Sequence, residues 1–213
     1  MKNNFLVWAA IAALFFFRTK DVEAAIQRID RSVETGAEIL PGMLDEAEPI
    51  FIDPLQDTDM TQHFTLAEFT QSATATRLGI DNSLPDSLMG NALDTLFMME
   101  NIRQYLSTLA GKDIPIFISS GYRSPALNTA IGGSKKSHHL QAAAVDWTAP
   151  KFGTSLEIAK VLEPVVDDLG IGQLVNEFPG SGGWVHTSKI KPLLSVNRVI
   201  TITAQGTTPG IQA

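Results

Sequence analysis

Two stretches of different periodicity restrict the fold of this chain more than any other feature. Pro85 opens a segment in which Leu88, Ala92, Leu96, Met99 and Leu106 recur on one helical face until Gly111 stops it, which predicts a helix over about 86–110. Downstream, apolar residues come in short runs bounded by turn formers: IPIFISS (Ile114–Ser120), AAAVDW (Ala142–Trp147), GQLVNEF, GWVHTSK and NRVITITAQG. The last alternates Val199, Thr201 and Thr203 against Ile200 and Ile202, and all five read as strands. One further helix stands among them, opened by the capping box Thr154/Glu157, carrying Ile158, Leu162, Val165 and Leu169, and closed by Gly170. A second box, Thr65 with Glu68 in FTLAEF, starts the domain. GYRSPALNTAIGGSKKS reads as a loop with one helical turn. Helices first and strands later is the pattern of an α+β domain, a largely antiparallel sheet flanked by helices.

The rest of the chain is organised differently. Phe5–Phe17 is thirteen residues without a charge, preceded by Lys2 and followed by Arg18 and Lys20. A bare membrane span needs roughly 17–25 residues, so the run is short, but snorkelling Lys and Arg ends extend it. Residues 1–20 are read as an uncleaved hydrophobic anchor; a cleaved secretory signal and a buried helix are the alternatives. From Asp21 to Asp59 there are eleven acidic residues against Arg28 and Arg31, leaving the remainder of a chain of net charge -7 near neutral. Residues 21–62 therefore read as a short amphipathic helix (Ala25, Ile26, Ile29, Val33) followed by an acidic linker. The folded domain takes residues 63–190. In the tail, 191–213, NRVITITAQG adds an edge strand or pairs with another subunit, and TTPGIQA is expected to be a flexible end. The negative charge argues against nucleic acid as a partner. The absence of cysteine excludes disulfides and thiolate metal sites.

Any metal must then be held by His, Asp or Glu. SHHLQAAAVD places Asp146 seven residues after His139 and eight after His138, and His186 follows Trp184 by two. A catalytic zinc site needs three N or O ligands and an open position, which His139, Asp146 and His186 would supply on a loop and two strands of the sheet. Glu177 is a carboxylate available to take a proton from the attacking water. Spacing alone leaves a second reading open, since a histidine on a strand is commonly a hydrogen-bonded core or surface residue.

The motifs SGYRSPALNTAIGG, SHHLQAAAVDW, GQLVNEF and GWVHTS, in this order, resemble the zinc D-Ala-D-Ala carboxypeptidase and L-Ala-D-Glu endopeptidase family, whose members cut the peptides of peptidoglycan. The resemblance covers about Phe64 to Lys189. The family pattern Ser-x-His-x-x-Gly-x-Ala-x-Asp and Trp-x-His falls on Ser137, His139, Ala144, Asp146, Trp184 and His186, with Ala142 in place of the pattern's Gly. It implies zinc held by His139, Asp146 and His186, with His138 pointing elsewhere as a solvated loop residue. It implies Glu177 as general base, and Arg123 as the guanidinium that holds a substrate carboxylate or the oxyanion. Ser137 would hydrogen-bond near the metal or substrate, Tyr122 and Gln173 would support the site from behind, and Trp184 and Trp147 would wall the cleft. If the Ala142 position needs φ > 0, alanine there costs roughly 1 kcal/mol.

The resulting expectation is a zinc metallopeptidase of peptidoglycan stem peptides, anchored to a membrane or exported to act on the cell wall. A phage lysis or host-penetration protein, with assembly in a virion, suits the layout, as does a D-Ala-D-Ala carboxypeptidase of bacterial wall remodelling. The rival class is an inactive anchored protein that binds peptidoglycan.

Overall fold

The structure is a computed structural model that describes residues 60–179 and 182–212. The hydrophobic segment, the amphipathic helix and the acidic linker as far as residue 59 lie outside the described residues. Among the described residues no helix is long and apolar enough to cross a membrane.

The domain begins with two short helices. Helix α1 (Leu66–Thr70) carries the capping box read from the sequence: the Thr65 hydroxyl accepts from the Glu68 amide while the Glu68 carboxylate accepts from the Thr65 amide. Helix α2 (Ala73–Leu78), capped by Ser72, has too few residues to show periodicity and was not expected. Helix α3 (Met89–Ala110) is the long helix, entered through a 3-10 turn at Asp86–Leu88. Its Glu100 accepts hydrogen bonds from the Thr61 hydroxyl at 2.8 Å and the His63 amide at 2.7 Å, tying down the start of the domain. Strand β1 (Phe117–Ser120) and helix α4 (Pro125–Ala130) follow, the latter with Ser124 as N-cap and proline in its first turn. A 3-10 turn at His138–Gln141 leads into β2 (Ala144–Thr148). Helix α5 (Ser155–Leu162) has the second capping box and passes into a 3-10 turn where Pro164 cannot donate. Strands β3 (Gln173–Glu177), β4 (Trp184–Ser188), β5 (Val199–Thr203) and β6 (Gly206–Pro209) complete the chain.

The six strands form one sheet in the order β1-β2-β4-β3-β5-β6, antiparallel at every joint except β3 with β5, which is parallel. Two expectations about the tail are corrected here. The strand of NRVITITAQG, Val199–Thr203, does not end the sheet but lies inside it, and the edge strand runs from Gly206 through residues 207–209 of the supposed flexible end.

Residues directly opposite across a ladder share a face of the sheet. The partners Asp146↔His186, Val175↔His186 and Glu177↔Trp184 put Asp146, His186, Trp184 and Glu177 on one face. The partners Val145↔Thr187, Trp147↔Val185 and Leu174↔Thr187 put the intervening residues on the other. That second face is sealed: Val145, Trp147, Leu174, Val185 and Thr187 have no exposed surface, and the four apolar ones join Leu96, Met99 and Ile102 of α3 and Ile158 and Leu162 of α5 in one core. The alternation along three strands thus separates a face built for stability from a face free to carry chemistry.

Candidate metal centre

Asp146 and His186 meet because they are register partners in the β2–β4 ladder, with His186 Nδ1 2.7 Å from Asp146 Oδ1. His139 arrives from the 3-10 turn preceding β2. Its Nε2 lies 3.3 Å from Asp146 Oδ1 and 3.3 Å from His186 Nδ1. The three side chains form a buried group whose donor atoms all lie within 4.8 Å of one another.

The donor set fits zinc. Two imidazole nitrogens and one carboxylate oxygen are ligands that zinc accepts, and donors at 2.0–2.1 Å in a tetrahedron stand about 3.3–3.4 Å apart. Two edges of the triangle have that length, and the third is the His186–Asp146 hydrogen bond. The orientation of His139 is also set. Its Nδ1 is 2.6 Å from the carbonyl oxygen of Gly121, which can only accept, so Nδ1 carries the proton and Nε2 turns a lone pair to the site. Gly121 is required there, since a Cβ would stand 2.3 Å from the Phe69 carbonyl oxygen.

Electrostatics favour the same protonation pattern. Burial by itself would raise the Asp146 carboxyl, but His139 and His186 outweigh it and hold the group far below the ordinary carboxylate range. Burial lowers the His139 imidazole, a shift that Asp146 only partly offsets, so the ring stays neutral. Arg123 adds a cation: Nη2 donates to Asp146 Oδ2 at 2.5 Å and Nε to Ser120 Oγ at 2.8 Å. Its side-on fork is therefore occupied by the protein, the salt-bridge role. The loop bearing Arg123 is held by Asn82, whose Nδ2 donates to the Tyr122 carbonyl at 3.1 Å and whose Oδ1 accepts from the Ser124 amide at 2.7 Å.

Glu177 sits at the end of β3 opposite Trp184, two residues along from the His186 partner Val175. Burial raises its carboxyl above the usual range and the nearby Asp146 charge adds to this, against the opposing influence of His186 and Arg123. The Trp184 indole also favours the charged form of Glu177, although Nε1 is buried and finds no acceptor at hydrogen-bond distance. The Trp184 ring leans on Phe178 at 5.5 Å between centroids.

The remaining expected residues are distributed less uniformly. His138 is not a free loop side chain: its Nδ1 is 2.8 Å from Ser188 Oγ, and Ser188 is fully buried on β4. Ser137 caps the 3-10 turn without a side-chain capping bond. Tyr122 is buried in the hydrophobic core, and burial raises its phenol. Gln173 stands at the far end of β3, where Nε2 donates to the Asn197 carbonyl at 2.8 Å. Trp147 walls the core and not the cleft, with Nε1 donating to Thr187 Oγ1 at 3.1 Å. Ala142 does adopt the left-handed conformation, φ 53°, as the C-cap of the turn that carries His139. Sequence reasoning passed over Gly121, Ser120 and Asn82. Ser120 is three residues from Arg123, a spacing that could have suggested it, whereas Asn82 is distant in sequence and gave no signal.

The chain matches the peptidase M15 family over residues 62–187, more than half its length and the whole of the region that builds this centre. The chain belongs to the peptidase M15 family. This is the zinc D-Ala-D-Ala carboxypeptidase-like family that the motifs resembled, and the domain is a zinc-dependent peptidase domain. A search of curated proteins found no match. Within the M15 domain, the buried His139/Asp146/His186 group is one that could hold a metal ion.

Proposed function

We propose that this M15 domain hydrolyses peptide bonds in the stem peptides of peptidoglycan, with Glu177 as its general base. The observation that carries the reading is the register Glu177↔Trp184 beside Val175↔His186↔Asp146, which aims a half-buried carboxylate along the same sheet face as the metal-binding group. His139, Asp146 and His186 would hold zinc, which supplies a Lewis acid for the scissile carbonyl and a water of pKa about 7. Glu177 accepts the proton of the attacking water on its carboxylate and delivers it to the leaving amine nitrogen. A carboxylate whose pKa is raised by burial takes up a proton more readily than a solvated one, which suits the first transfer. Arg123 fixes the Asp146 carboxylate. With Nε and Nη2 engaged, Arg123 offers less to the free carboxylate of a terminal D-Ala, which favours an internal bond over a carboxypeptidase reaction. Trp184 and Phe178 provide an apolar wall next to Glu177.

The Phe5–Phe17 segment tethers the domain to a membrane or directs its export, and the acidic stretch spaces it from that point so that it acts on the wall. Such a layout suits a phage protein of lysis or host penetration, including one carried in the virion. The test is incubation of the full-length chain with purified peptidoglycan, with and without a chelator and beside Glu177→Ala, with mass spectrometry of the products. Chelator-sensitive release that Glu177→Ala abolishes is expected, and the fragment masses name the bond. A folded, zinc-loaded wild type that releases nothing would overturn the peptidase reading in favour of a peptidoglycan-binding protein.

A further inference from the structure

Helix α3 carries Asn91, Thr95 and Met99 at successive spacings of four, one above the other on a single face. A buried helix face needs only apolar packing, and Ala92, Leu96 and Ile102 provide that here. The three stacked residues do something else. Asn91 Nδ2 donates to the Gln141 carbonyl at 2.9 Å, and Thr95 Oγ1 shares its single proton between the Ala142 carbonyl at 2.9 Å and the Asn91 carbonyl of its own helix at 2.8 Å. Met99 Sδ accepts from Thr187 Oγ1 at 3.5 Å.

Each contact ends immediately behind a metal-binding residue. Gln141 and Ala142 close the turn that presents His139, through the Ala142 amide to the His139 carbonyl at 3.2 Å and the Ala143 amide to the His138 carbonyl at 3.1 Å. Thr187 adjoins His186, and its hydroxyl accepts from the indole of Trp147, which adjoins Asp146. Ala142 is held left-handed and fully buried at this junction, where a residue with a Cβ gains nothing from the backbone itself. Thr95 supplies the buried Ala142 carbonyl with a donor, and an unpaired buried carbonyl is costly.

We propose that the Asn91–Thr95–Met99 face of α3 is a back-plate that sets the positions of the three metal donors, with Thr95 as its principal positioning residue. The proposal rests on the His139/Asp146/His186 group being the zinc site. Thr95 acts through the main chain of the 138–142 turn, touching neither metal nor substrate. Its hydroxyl holds Ala142 in the conformation that points His139 Nε2 at Asp146 and His186. The substitution of Ala for the pattern's Gly makes this clamp more necessary, since the turn cannot reach that conformation without cost.

The test is zinc affinity of the full-length chain by chelator competition, measured beside the melting temperature of the metal-free chain. Thr95→Val, which keeps the shape and removes the hydroxyl, is expected to weaken zinc binding about tenfold, the lower end of what outer partners of metal ligands contribute. Thr95→Ser restores the donor and is expected to bind near wild type. A Thr95→Val chain that melts earlier yet binds zinc as wild type does would reduce Thr95 to core packing and overturn the proposal. Should Thr95→Val not fold, Asn91→Ala at an exposed position carries the test, with a smaller loss expected and wild-type affinity overturning it. A wild-type chain with no zinc affinity removes the metal site and the back-plate together, whereas loss of only the Thr95 dependence removes the back-plate alone.

Discussion

Gly183 precedes Trp184 at the point where β4 begins beside the end of β3, and replacing it with alanine tests whether Glu177 must be held in place. A Cβ built there would lie 2.0 Å from the Glu177 carbonyl oxygen, 2.4 Å from that of Phe178 and 2.7 Å from the Phe178 carbonyl carbon. Ordinary contact begins near 3.4 Å, so the worst overlap is 1.4 Å (3.4 minus 2.0). All three atoms are main chain, and no rotamer change relieves them. The strand end must shift by on the order of 1 Å, at a cost of about 1–3 kcal/mol typical of overpacking. The atoms that move belong to the proposed base and its neighbour, and Phe178 already sits at φ 52° with little freedom to absorb the change. A misplacement of about 1 Å can reduce turnover about 100-fold, or roughly 2.7 kcal/mol in the barrier. His186 lies deeper in the ladder, paired on both sides, so zinc affinity is expected to hold. The assay is single-turnover release of peptidoglycan fragments by Gly183→Ala, beside a zinc titration and a thermal melt. A folded, zinc-binding variant with wild-type turnover would refute the argument that the close approach of Gly183 to the end of β3 positions Glu177.

Other changes separate the parts of the site. Gly121→Ala drives a Cβ to 2.3 Å from the Phe69 carbonyl oxygen and displaces the acceptor of His139 Nδ1, so zinc affinity, read by chelator competition, is expected to fall about 10–100-fold. Glu177→Gln is expected to abolish hydrolysis and to stabilise the metal-free chain at neutral pH. A carboxyl whose folded pKa is raised favours folding fully only below its unfolded value near 4.5 and loses that contribution as pH rises through the folded value. Melts of both chains from pH 4 to 8 check this, and equal pH dependence would contradict it. Ala142→Gly relieves a left-handed alanine, worth about 1–2 kcal/mol, but gives up a buried methyl worth about 0.8 kcal/mol and adds about 0.4–1 kcal/mol of unfolded-chain freedom. Denaturant unfolding should find it within about 1 kcal/mol of wild type, and a larger gain would mean that nothing in the fold compensates Ala142.

Local pattern determined much of this protein. The long helix, both capping boxes and the strand segments follow from apolar spacing and turn residues over a few neighbours, which is information a single sequence carries. The candidate metal group was legible for a related reason: the seven-residue step from His139 to Asp146 and the Trp-x-His pair are short motifs, and both lie within the residues matched by the M15 family. What stayed hidden was decided by contacts distant in sequence. A parallel β5 beside β3, and an edge strand made from the tail, depend on which strand edge was left free when β4 folded back. The Arg123 bond to Asp146, and His138 held by Ser188, follow from long-range packing that no periodicity states. Thr95 did leave a mark, a hydroxyl within an apolar helical face, but its meaning required the Ala142 carbonyl 47 residues away to be brought against it. Spacing sets which residues can share a face, while only packing decides which of them meet, because burial is a property of the whole folded chain.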